Sequence, residues 1–117
     1  MEGIIGEIRM FAGNFAPRGW MFCNGQLLSI AQYTALFSIL GTTYGGNGQT
    51  TFALPDLRGR TPMGSGHGLG LPNVTLGELG NEATHKHQST ENTSDRPVTY
   101  LSVNFIICME GIYPSRN

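Results

Sequence analysis

The sequence is short of charge. Of 117 residues, 13% are charged, 7 Lys+Arg against 8 Asp+Glu, giving a formal net charge of -1. Globular chains usually carry about 25%. The basic residues are scattered, and Lys86 is the one lysine among them. A nucleic-acid surface needs clustered Lys and Arg to displace counterions from phosphates, so no nucleic-acid partner is expected. No apolar run approaches the length of about 18 residues that a membrane-spanning helix requires, so no membrane insertion is expected either. Met1-Glu2-Gly3 opens with an acid and leads into a strand pattern. That is not the build of a secretory signal, and synthesis in the cytoplasm without a signal peptide follows as the expectation. The only cysteines, Cys23 and Cys108, lie in apolar strand-like runs. Buried free thiols in a reducing compartment are expected in preference to a disulfide. Paired carboxylates are missing too. The acids Glu2, Glu7, Asp56, Glu78, Glu82, Glu91, Asp95 and Glu110 are spread along the chain, which disfavours a polysaccharide-cleaving enzyme and any enzyme role in general.

What is present is glycine, 17 residues of it, and 39% hydrophobic residues, enough for a core. The length fits one domain of the usual ~100–150 residues. A weakly charged, turn-rich surface suits a subunit packed against copies of itself. Ile4 to Phe11 alternates and predicts a half-buried strand; Ala12 to Gly19 predicts a loop. Trp20 to Leu28 reads as two apolar pieces around Asn24-Gly25, a hairpin signal because a type I′ turn needs positive φ at both central positions. Ser29 with Gln32 fits a capping box, and Tyr33, Leu36, Phe37 and Leu40 follow at helical spacing up to Gly41, a helix terminator. Thr51 to Leu54 predicts a short strand stopped by Pro55. Glycines and polar residues dominate 64–97, and Val98 to Ile112 is apolar on both parities, the mark of a strand buried on both faces. The predicted fold class is α+β, mainly β: a small single domain spanning 1–117, with one core helix packed on short strands. Its core is 4–63, its exposed insertion 64–97, and its C-terminal buried strand and tail 98–117.

Few constellations carry chemistry. His85 and His87 flank Lys86, and in an extended segment residues i and i+2 project from one face, so both imidazoles reach one point. Two ligands do not close a site, but three chains around a threefold axis would supply six nitrogens, a shell that one divalent transition metal ion, zinc or similar, can accept. The bland alternative is a pair of solvated histidines in a polar loop. Pro55-Asp56-Leu57-Arg58-Gly59-Arg60 places an acid beside two guanidinium groups without a nucleophile or base nearby in sequence, so a structural ion pair is expected. Gly45-Gly46-Asn47-Gly48 lacks the Lys-Ser/Thr of a phosphate loop. Tyr44, Asn47, His67 and Tyr113 are the candidates for contact with a ligand; Trp20 is expected in the core.

Residues 11–66 closely resemble the phage tail collar domain, found in phage short tail fibres, in other tail-tip proteins and in the bacterial proteins called microcystin-dependent. The resemblance rests on Phe11-Ala12-Gly13, Pro17-x-Gly19-Trp20, Cys23-Asn24-Gly25-Gln26, Tyr33-x-x-Leu36-Phe37, Gly41-x-x-Tyr44-Gly45-Gly46-x-Gly48 and Phe52-x-Leu54-Pro55-Asp56-Leu57-Arg58-Gly59-Arg60. The ending from Tyr100 resembles the family's C-terminal strand and tail. The insertion before it is short for the family, and a fibrous shaft is missing, so a minimal collar module set on a larger assembly is expected. The resemblance implies a homotrimer in the virion tail or a tail-like bacterial injection particle, with a metal held on the trimer axis by His85 and His87. It further implies contact with other tail or baseplate proteins and attachment to a host cell-surface glycan through 64–97. The alternative it leaves open is a free bacterial protein of the microcystin-dependent type, acting as an adhesin or stress-related binding protein.

Overall fold

A computed structural model describes residues 2–80 and 99–116. Among the described residues, seven short strands and one helix follow in order: β1 (Ile8–Phe11), β2 (Trp20–Phe22), β3 (Leu27–Ser29), α1 (Thr34–Leu40), β4 (Thr51–Ala53), β5 (Gly66–His67), β6 (Asn73–Val74) and β7 (Asn104–Cys108). The fold is mainly β with one short helix, as the composition and periodicity predict. The chain divides into two compact units, Met1–Pro62 with Val103–Asn117, and Met63–Ser102.

In the first unit β7 lies between β1 and β2, antiparallel to both. A central strand buries both faces, which is why the C-terminal run is apolar on both parities: Ile106, Ile107 and Cys108 are fully buried. Alternation then sorts the sheet into two faces. One carries Ile107 into the main core, with Ile5, Cys23, Leu36, Phe52, Leu54 and Met109. The other gathers Trp20, Ile106 and Cys108, with Phe11 and Phe22 half-buried around them. Trp20 is in the core as predicted, and its ring lies under the Arg9 guanidinium, 5.0 Å from the centroid, a cation–π contact. Both cysteines are free and buried. The strand is shorter than 98–112, however; Tyr100 and Leu101 are exposed at 84% and 87% and belong to the second unit.

Three local expectations are corrected. The N-terminal strand starts at Ile8 because Gly6 adopts φ 91 in a turn closed by the Glu7 N–H on the Ile4 carbonyl, 2.9 Å. Asn24-Gly25 does not make a hairpin, since β2 pairs with β7 while β3 pairs with β4. The dipeptide instead crosses between sheets. Gly25 at φ 74 donates its N–H to the Pro55 carbonyl, and the Gln26 amide bridges the Asn24 N–H and the Phe22 carbonyl. The helix opens at Thr34, five residues after Ser29. Ser29 is the last residue of β3, paired with Thr51, and the Ile30 N–H still donates to Thr50. The backbone of 29–30 therefore belongs to the sheet, and the Ser29 hydroxyl merely accepts from the Gln32 N–H across a turn. At the other end Gly41 stops the helix as predicted, with φ 55 and its N–H on the Phe37 carbonyl at 2.8 Å.

The second unit holds a two-stranded ribbon, β5 with β6, that the glycine-rich sequence did not announce. Leu69, Leu71, Leu76 and Leu79 are exposed there.

Candidate functional site

Of the residues proposed for ligand contact, Tyr44 and Asn47 share the loop between α1 and β4. Gly46 (φ 96) approaches β4 so closely that a Cβ there would collide with the backbone of Thr51 and Phe52. Asn47 closes the loop: its Oδ1 accepts from the N–H groups of Gln49, Thr50 and Thr51 at 2.8, 2.8 and 3.1 Å, and its Nδ2 donates to the Thr50 hydroxyl at 3.2 Å. The amide is thus engaged in holding the loop. Tyr44 is half-buried, and that burial raises its phenol pKa, with Cys23 adding to the effect.

Tyr113 is exposed at 53%, and its hydroxyl lies 2.6 Å from the Ser38 hydroxyl on α1. Ser38 in turn donates to the Ala35 carbonyl at 2.7 Å, so the phenol acts as the donor to Ser38. The contact pins the C-terminal tail to the helix. His67 sits at the exposed end of β5, opposite Asn73. His85 and His87 lie outside the described residues. Among the described residues, no group of three or more His, Cys, Asp or Glu side chains is poised to hold a metal.

Asp56 forms the expected ion pair. Arg58 grips it through Nε and Nη2 at 2.9 and 2.8 Å, the Arg58 N–H adds a third bond at 3.1 Å, and Arg60 reaches the Asp56 carbonyl at 3.0 Å. These contacts, the Arg58 side chain foremost, hold the carboxyl far below the usual carboxylate range. Glu7 is likewise lowered by Arg9 and by the Ile4 N–H. Burial drives the Cys23 thiol up to about 12 and raises Cys108 as well. A thiol kept protonated is a poor nucleophile, and a carboxylate locked on guanidinium is a poor base. The Asp56 and Glu7 carboxylates also fix local backbone, accepting the Arg58 and Ile4 N–H groups.

Residues 6–62 match the family described as Phage Tail Collar Domain. Residues 6–62 are thus those of a phage tail collar domain. A relative is the "Short tail fiber protein gp12" of Enterobacteria phage T4, 40% identical over 73 residues that make up 62% of this chain and 14% of that protein. The chain thus spans a small part of the length of the curated relative it matches. The collar match ends where the first unit gives way to the second, at Pro62. It takes in the Gly25 crossing, the Asn47 loop and the Asp56 clasp. Sequence reasoning passed over one residue of the collar. Phe15, in the loop read as plain connection, is 61% exposed, and its place between Gly13-Asn14 and Ala16-Pro17, a turn-rich setting, was the available signal.

Proposed function

We propose that this protein is a non-enzymatic structural and recognition module of a phage tail or a phage-tail-like particle, acting as a homotrimer at a fibre tip or collar. In this reading the collar unit supplies the assembly surface toward neighbouring tail or baseplate proteins, and attachment to a host-surface glycan proceeds by weak contacts repeated in three copies. The observation that carries the reading is the collar match over 6–62. The relative's printed name, a short tail fiber protein, supports placement in a virion tail. The trimer reading extends to His85 and His87: three copies would present six imidazoles to one divalent transition metal ion, whose role would be to clamp the chains together without chemistry at the metal. Native mass spectrometry tests both points. A trimer carrying one metal ion, dissociating on chelation, is the expected result; a metal-free trimer removes the histidine site, and a monomer at micromolar concentration removes the assembly.

A further inference from the structure

We infer that Phe15, propped by Phe11 and fastened through Asn104, is a stacking platform for a neutral pyranose ring of a cell-surface polysaccharide. The inference rests on the glycan part of the reading above and gives that contact a place in the collar unit.

The loop joining β1 to β2 is built around this ring. Phe15 meets Phe11 edge to face, with centroids 5.5 Å apart and planes at 85°, the arrangement that ring quadrupoles favour. Phe11 is the last residue of β1 and pairs in register with Asn104 on β7. The Asn104 Nδ2 donates to the Gly13 carbonyl at 2.8 Å, which ties the loop to the central strand. The Phe11 ring also fills the space a Cβ at Gly13 would need, 2.6 Å from that position. Beyond Phe15, the Trp20 N–H closes the loop on the Pro17 carbonyl at 3.0 Å. An aromatic ring in a surface loop is thereby fixed in advance, yet remains 61% exposed. Ordering it before a ligand arrives removes an entropic cost from binding.

Size decides what kind of ligand fits. A ring at that exposure offers on the order of 100 Å² of apolar surface, far below the ~800 Å² per partner of a stable protein interface. The neighbouring Phe11 and Phe22 are half-buried. The other exposed apolar side chains of β1, Ile8 and Met10, alternate onto the opposite sheet face. What remains is one flat apolar disc next in the chain to an exposed amide, Asn14. A pyranose has the matching pattern, with C–H bonds on one face and hydroxyls at the rim. Among the described aromatics of the collar unit, Tyr113 is the other exposed ring, and its hydroxyl is already bound to Ser38.

The test uses the full chain against purified bacterial O-polysaccharides, with methyl β-glucopyranoside and methyl β-galactopyranoside as single-ring probes, read by saturation-transfer NMR and by binding to immobilised polysaccharide. Phe15→Ala and Phe15→Leu are expected to weaken polysaccharide binding about three- to tenfold, Phe15→Trp to preserve it, and Met10→Ala to leave it unchanged. Phe15→Leu keeps apolar bulk without a π face, so it serves if the alanine variant folds poorly. Wild-type binding that survives both Phe15→Ala and Phe15→Leu overturns the platform while leaving glycan attachment standing. Failure of the wild type to bind any polysaccharide overturns the attachment reading and the platform with it. A Phe15→Ala variant whose oligomer mass changes along with its binding also overturns the platform, since the ring then belongs to a contact between copies.

Discussion

The two units of this chain are built on opposite terms. In the collar unit, Phe52, Ile106, Ile107 and Cys108 have no exposed surface, and one strand is held on both edges. In the second unit Leu69 is wholly exposed, Leu71, Leu76 and Leu79 more than half so, and none of its described residues is buried. An isolated two-strand ribbon is marginal in water by itself. The contrast teaches where the stability of the protein resides: in the packed sheet and helix of 2–62 and 103–116, with the glycine-rich stretch free to vary in sequence at little cost to that core.

The sharpest way to break this contrast is to truncate one side chain in each unit. Ile107→Ala removes a fully buried side chain and is expected to cost about 2–5 kcal/mol of stability, whereas Leu71→Ala should change it by no more than about 0.5 kcal/mol. Denaturant unfolding followed by circular dichroism measures both, and equal losses would erase the distinction. Next in size is Asn47→Ala, which strips three loop N–H groups of their common acceptor. The expected loss is about 1–3 kcal/mol, read as a fall in Tm; an unchanged Tm would mean that water replaces the amide without penalty.

The smallest effect concerns acid. The carboxyl of Asp56 is depressed in the folded state, so its contribution to stability is complete above the unfolded carboxylate pKa of about 4 and fades as pH falls below it. Wild-type Tm should therefore drop on acidification below about pH 4, and Asp56→Asn should flatten part of that drop while lowering Tm at neutral pH. Parallel acid profiles for the two proteins would show that the Arg58 clasp, exposed as it is, contributes nothing to folding.

The parts legible from sequence are those where one residue type answers one local demand. The two-sided apolar run announced β7, Gly41 announced the end of α1, and Asp56 with Arg58 announced an ion pair. The start of α1 was hidden because Ser29 satisfies two patterns at once, a helix cap and a strand end, and pairing with Thr51 decided between them. Asn24-Gly25 misled for a related reason. It supplies the positive φ of a hairpin turn, but the long-range pairing of β2 with β7 commits the preceding strand elsewhere. Candidate contacts were harder still. Asn47 and Tyr113 carry the right groups for a ligand, yet nothing local reveals that Thr50 and Ser38 already hold them. Phe15 lay in a stretch read only as a loop, and its edge-to-face contact with Phe11 depends on packing that the loop signal does not carry.

The position of β7 has a consequence for how the molecule is made. β1 and β2 leave the ribosome roughly eighty or more residues ahead of the strand that joins them. Until then the two strands lack the partner that pairs with both, and unpaired strand edges invite association with other chains. A premature stop before Asn104 would release a polypeptide whose halves of a sheet have nothing to close on.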